Sequence, residues 1–226
     1  MQFKHCIILD EIMRQKPSQI EFIKCLNNIR EGKVTQADWS KLNERSLSNL
    51  PLQERICFEQ DQTILLTETW AESYSRNCES IASLNQPVAQ FRSIGRGSHH
   101  SKERELGQIR DKCTISKGCR IMITKNQQAL ASLGLNNGAV GTVVDIFYEE
   151  GMSPPEPPAF VIVDIPNFKG VPGNECIPGH PTYVALTPDT GFCEYKCKCQ
   201  RTGYPLIPSY GITIAKSQGM TIGQND

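Results

Sequence analysis

The stretch "GITIAKSQGMTI", Gly211–Ile222, decides how the rest of the chain is read. A run of β-formers leads into a small polar turn, Lys216-Ser217-Gln218-Gly219, and then into another apolar step. Loops that handle phosphates have this form. Yet no G-x4-G-K-S/T occurs anywhere in the 226 residues, so the chain encodes no backbone nest and lysine of the P-loop kind. The question is which fold presents such a loop without a phosphate pocket of its own.

Working outward, "YPLIPSYGITI" reads as a buried strand that ends in this loop. Far upstream, "TILLTET" (63–69) reads as a short buried strand. It runs into a helix with Ala71, Tyr74, Cys78 and Ile81 at helical spacing. A strand followed at once by a helix is the unit of an α/β sheet. Before it, Pro17 opens a helical pattern with Phe22, Leu26 and Ile29 on one face and Gly32 as the stop. Thr35 then caps a second helix, with Asp38 in its first turn and an apolar stripe of Trp39, Leu42 and Leu47. After about Lys112 the pattern changes. "GCRIMIT", "GTVVDIFY", "AFVIVDI" and "TYVALT" read as strands joined by Gly/Pro-rich turns, with Asn137–Gly138 a strong turn signal. That spacing predicts a small β-barrel. The order is α/β, β insert, α/β again.

No segment approaches a transmembrane span, and "MQFKHCIILDEIMRQ" lacks the long apolar region and cleavage site of a signal peptide. The chain reads as soluble and intracellular, with no membrane partner. Lys+Arg and Asp+Glu balance at 24 each, so no global field attracts nucleic acid. The distribution is uneven, however: residues 92–125 carry nine basic against three acidic side chains, between two acidic flanks. This stretch reads either as a phosphate-contacting segment or as a solvated loop.

Most of the ten cysteines stand alone on apolar faces and read as reduced thiols. The one cluster is Cys193-x3-Cys197-x-Cys199, with Cys176 and His180 upstream. Its gaps of three and one residues are poor geometry for a paired zinc knuckle, so free thiols are the reading and structural zinc the alternative. His99–His100 has no Cys or carboxylate at ligand spacing and reads as loop. No metal site is assigned. None of the four histidines sits in a nucleophile setting, which excludes a Ser/His/Asp hydrolase. Arg14, before Gln15 at a sheet-to-helix junction, is either a surface ion pair or an arginine finger.

Taken together, "LDEIMRQKPSQIEFIKCLNNIREGKVTQADWSKLNER", "GCRIMITKN", "LGLNNGAVGTVVDI" and "RTGYPLIPSYGITIAKSQGMTI" resemble, in order and spacing, the C-terminal half of Pif/RecD-type superfamily 1B DNA helicases. The resemblance runs over nearly the whole chain. It implies a second RecA-like, P-loop NTPase-type motor domain with an inserted SH3-like β-barrel. Residues 1–112 and 200–226 would form motor domain 2A, and residues 113–199 the insert 2B.

By the same resemblance, Arg14 is the catalytic arginine that reaches the ATP γ-phosphate. Gln15, Lys216, Ser217, Gln218 and Gly219 fall on the nucleotide side. Thr213, Thr67, Asn77, Lys125 and Asn126 fall on the DNA side, Thr213 as a phosphate contact. The family usually has His where Ala215 stands. ATP and Mg²⁺ would be held through a first motor domain that this chain lacks. The implied function is part of an ATP-dependent, 5′-to-3′ DNA helicase, inactive as an ATPase alone. It would be monomeric, bind single-stranded or forked DNA, and serve repair, recombination or telomere maintenance in the nucleus rather than the mitochondrion. The alternatives are a non-catalytic single-strand-binding module and an SH3-like protein-interaction domain.

Overall fold

The structure, a computed structural model, describes residues 15–59, 63–97, 100, 105–126, 130–170, 175–195 and 197–218. The chain divides into two compact units, residues 1–60 and 61–226.

The first unit contains α1 (Ile20–Arg30), α2 (Gln36–Asn43) and α3 (Leu52–Glu59). Thr35 caps α2 as expected: its hydroxyl oxygen accepts the Asp38 N–H at 3.3 Å. Asp38 answers with one carboxylate oxygen, Oδ2. It accepts the Thr35 N–H at 2.8 Å, the Thr35 hydroxyl at 2.7 Å and the Asn28 carboxamide at 2.8 Å. A polar lock therefore ties α1 to α2. The expected apolar stripes do not form a core, because Phe22, Leu26, Ile29, Trp39, Leu42 and Leu47 are all exposed. Among this unit's described residues only Cys25 and Leu50 are buried apolar side chains.

The second unit begins with β1 (Leu65–Thr67) and α4 (Trp70–Ser83). β1 is not the buried strand expected, since Leu65 and Leu66 are half exposed and only Thr67 is buried. It pairs in parallel with β14 (Gly211–Thr213), in the register Leu65↔Gly211 to Thr67↔Thr213. Between these partners the chain forms β2 (Val88–Arg92), β3 (Ile94–Arg96), β4 (Glu105–Leu106), β5 (Ile109–Arg110), β6 (Lys112–Ser116) and β7 (Arg120–Ile123). Then follow β8 (Val140–Phe147), β9 (Phe160–Asp164), β10 (Tyr183–Leu186), β11 (Asp189–Phe192), β12 (Gln200–Gly203) and β13 (Leu206–Pro208). α5 (Ile214–Ser217) comes last.

The four strands read from "GCRIMIT", "GTVVDIFY", "AFVIVDI" and "TYVALT" are all present, as β7 to β10. They do not close a barrel. With β13 they make an open five-stranded antiparallel sheet in the order β10-β9-β8-β7-β13, and its edges β10 and β13 do not pair among the described residues. The alternating apolar residues of this sheet (Ile121, Ile123, Val143, Val161, Val163, Val184, Leu206) pack with Phe91 and Ile115 of the β2–β6 ladder in one buried cluster. The Phe91 and Tyr204 rings meet edge to face at 5.3 Å, an arrangement favoured by their quadrupoles.

Hydrogen bonds from the Thr35 hydroxyl and backbone, then from Asn28, hold the Asp38 carboxyl below its ordinary range. A depressed folded-state pKa stabilises the fold fully above the unfolded value of about 3.9. The contribution is lost as pH falls through the lower folded value. Trp39, next in α2, should therefore report an acid transition below about pH 4 by fluorescence. Asp38→Asn should abolish that transition and weaken α2 at neutral pH.

Candidate functional site

The loop Gly211–Gln218 is positioned by the polar face of α4. Sequence spacing predicts that Ala71, Tyr74, Cys78 and Ile81 face inward. Of these only Ile81 is buried, and Tyr74 is half exposed. The helix instead buries Ser73, Asn77 and Ser80. Ser73 and Asn77 stand four residues apart and share a face. Ser73 Oγ donates to the Gly211 carbonyl at 2.7 Å, and the Asn77 carboxamide donates to the same oxygen at 2.8 Å. Asn77 Oδ1 accepts the N–H groups of both Tyr210 and Gly211 at 2.9 Å. Gly211 allows this approach, because a Cβ there would lie 3.1 Å from Arg76 Cβ. On the other side of β14, Thr67 Oγ1 donates to the Ile212 carbonyl at 3.3 Å.

Thr213 is buried and caps α5, its hydroxyl oxygen accepting the Lys216 N–H at 3.3 Å. Ser217 Oγ donates to the Ile214 carbonyl at 2.8 Å. Lys216 and Ser217 are half-buried and Gln218 is exposed. The fold therefore brings Thr67, Asn77, Thr213, Lys216, Ser217 and Gln218 together. Gln15 belongs to the first unit, and Arg14 and Gly219 lie outside the described residues. Apolar spacing does not single out Ser73, although its position one turn before Asn77 is a readable signal.

Lys125 and Asn126 lie elsewhere in the second unit. They line an open cleft of about 500 Å³ with Thr187, Pro188, Asp189, Thr190 and Phe192. Lys125 Nζ is 2.7 Å from an Asp189 carboxylate oxygen and donates to the Thr190 carbonyl at 2.9 Å. Asn126 Oδ1 accepts the Asn137 N–H at 2.7 Å, which ties the cleft to the expected Asn137–Gly138 turn. Phe192, which no sequence pattern marks, presents an exposed ring there.

The basic stretch 92–125 is described except at 98–99 and 101–104. Much of it is β2 to β7, and several of its charges are met in space. Lys117 pairs with Asp145 at 2.7 Å, Lys125 with Asp189, and Arg110 with Glu105 at 3.9 Å. The Arg110 guanidinium also lies 4.1 Å over the Trp70 ring.

A parallel strand pair backed by a helix, with a large antiparallel insertion between the paired strands, makes the second unit an α/β fold. The chain is similar to the Pif1 helicase from Candida albicans, with a TM-score of 0.62 and 23% identity over 93% of this chain and 47% of that one. It is similar to Bacteroides sp Pif1 in complex with ADP-AlF4, with a TM-score of 0.60 and 20% identity over 94% and 43%. For Bacteroides Pif1 bound to ssDNA the TM-score is 0.56 with 20% identity, again over 94% and 43%. The likeness is one of fold, and the chain spans less than half the length of these proteins. No protein-family model and no curated protein sequence matches.

Removing the Asn77 carboxamide would leave one buried carbonyl short of a donor and two buried N–H groups unpaired. Asn77→Ala should therefore cost about 2–3 kcal/mol, and Ser73→Ala about 1 kcal/mol. Urea unfolding followed by Trp70 fluorescence in a Trp39→Phe background measures both. Equal midpoints for the two variants would contradict the assignment of Asn77 as the main clamp.

Proposed function

We propose that the chain is the second-motor-domain part of an ATP-dependent DNA helicase that steps 5′ to 3′ along single-stranded DNA. The observation that carries this reading is the likeness in fold, over more than nine-tenths of the chain, to Pif1 helicases that include a complex with ssDNA and one with ADP-AlF4. In this reading residues 113–199 are an insert between the two parts of the motor domain. Thr213 lies toward the DNA. By sequence resemblance alone, Lys216, Ser217, Gln218 and Gly219 are assigned to the nucleotide side, as are Gln15 and the γ-phosphate arginine, Arg14. Thr67 and Asn77 act through the backbone of Tyr210–Ile212, since their polar atoms are engaged there.

Within the insert, the cleft beside Lys125 and Asn126 has the chemistry of a single-strand platform. The exposed Phe192 ring offers a face on which a base stacks whatever its identity. Lys125 already pairs with Asp189, so it meets a phosphate only by exchanging that partner. Stacking is then the larger part of the affinity, and the salt slope is shallow.

Anisotropy titration with a labelled single-stranded oligonucleotide tests this. The chain should bind, and Phe192→Ala should weaken binding about tenfold, the loss of roughly 1–3 kcal/mol per stacked base. No binding at low salt would refute the reading.

ATP hydrolysis needs groups from two motor domains around one nucleotide, so the chain alone should not turn over ATP. Turnover above background that Arg14→Ala abolishes would overturn that expectation.

A further inference from the structure

The hairpin β11–β12 carries the cysteine cluster in its connecting loop. Its last ladder pair is Phe192↔Gln200, and the Cys193 N–H then donates to the Cys199 carbonyl at 2.9 Å. Cys193 and Cys199 are thus fixed opposite each other, with Cys197 in the loop between. β3 lies along the other edge of β12, in the register Gln200↔Arg96. The next residue, Gly97, crosses directly over Cys199. Its φ is +108°, and a Cβ there would stand 2.8 Å from both Cα and Sγ of Cys199. This crossing delivers His100 to the hairpin loop. The His100 N–H donates to Cys199 Sγ at 3.3 Å, and its ring stacks on Tyr195 with centroids 4.8 Å apart. A ring nitrogen of His100 and the sulfurs of Cys193 and Cys197 consequently lie within 4.8 Å of one another. Cys199 Sγ borders the group and donates to the Cys197 carbonyl at 3.8 Å.

We propose that His100, Cys193, Cys197 and Cys199 form a structural zinc site of the Cys3His type. Zinc takes thiolate and imidazole ligands tetrahedrally, and at its usual bond lengths the ligand atoms of such a site stand about 3.6–3.8 Å apart. The ligand atoms of His100, Cys193 and Cys197 need to close by only about 1 Å to reach this, and the Cys199 thiol, outside that group of three, turns in from its contacts with the His100 N–H and the Cys197 carbonyl. Three thiolates and one imidazole select zinc over magnesium or calcium, which take oxygen ligands. On binding, each thiol releases its proton to solvent, and the three sulfurs and the imidazole nitrogen donate to one Zn²⁺. The poor spacing within the cysteine cluster is no obstacle, because the fourth ligand comes from the chain leaving β3, across the sheet rather than along the hairpin. Cys176 and His180 do not contribute: Cys176 is exposed outside the cluster, and the His180 ring stacks on Tyr183. The consequence is mechanical. Phe192 precedes Cys193 directly, so the metal fixes the end of the strand that presents this ring.

The full chain, purified under reducing conditions and reconstituted with zinc, should hold one zinc per chain by elemental analysis. Cobalt(II) in its place should give tetrahedral ligand-field bands and a charge-transfer band with the intensity of three thiolates. Cys197→Ser should drop the zinc content to background, while Cys176→Ser keeps it. His100→Cys should keep the metal and raise the charge-transfer intensity to that of four thiolates, a readout that stands even if Cys197→Ser fails to fold. A reconstituted chain without zinc would overturn the proposal. So would zinc retained by both Cys193→Ser and Cys197→Ser, or a cobalt spectrum unchanged in His100→Cys.

Discussion

The junction of α4 with β14 depends on one side chain, the carboxamide of Asn77. β1 and β14 are separated by the whole of the inserted sheet, and nothing local brings them together. They pair directly in a parallel ladder, and Asn77 holds the β14 side by using both of its ends on one short piece of backbone. Its oxygen accepts from Tyr210 and Gly211, and its nitrogen donates to Gly211. A strand edge that meets a helix cannot satisfy its own N–H and C=O groups, so the helix must do it. This is why the buried face of α4 carries Ser73 and Asn77, both bonded to the Tyr210–Gly211 backbone, rather than most of its apolar residues.

The same piece of backbone joins two sheets. β13 is an edge of the five-stranded sheet and β14 is the partner of β1, with only Ser209 and Tyr210 between them. That junction is held from the sheet side as well. The Arg120 N–H donates to the Tyr210 hydroxyl at 3.0 Å, and the Ser209 N–H donates to the Arg120 carbonyl at 3.1 Å. Arg120 opens β7, and two residues past the end of β7 stands Lys125 in the cleft. The Phe192 cleft and the Thr213 loop are therefore joined through the Lys125 side chain, β7 and the Arg120–Ser209 and Arg120–Tyr210 hydrogen bonds.

Local signals in the sequence are sound where the physics is local. Thr35 caps α2 and Asn137–Gly138 turns the chain, because both depend on groups within three or four residues. The strands β7 to β10 are legible because each buries alternating residues against a core. What the sequence hides is everything decided by a distant partner. A polar helix face looks like a solvent face until β14 arrives to use it. A run of apolar strands looks like a barrel, yet closure depends on whether β10 and β13 meet, and that is fixed by geometry outside either strand. The helical stripes of the first unit are real as patterns, but three short helices, two of them tied by the Asp38 lock, do not cover them.

Charge and metal ligation follow the same rule in sharper form. Residues 92–125 are strongly basic when counted along the chain, but the fold supplies acids from elsewhere: Asp145 from β8 and Asp189 from β11. A count along the sequence measures what is available, whereas a binding surface is what remains after such pairing. His100 is the converse case. Along the chain it has no partner within ligand spacing, and across the sheet it meets Cys193 and Cys197. β3 and β12 pair in a register that sets the position of His100 against the hairpin, and Gly97 removes the one side chain that would block the crossing. The residue types that could bind DNA or metal are visible in the sequence, but strand register decides which of them stay available.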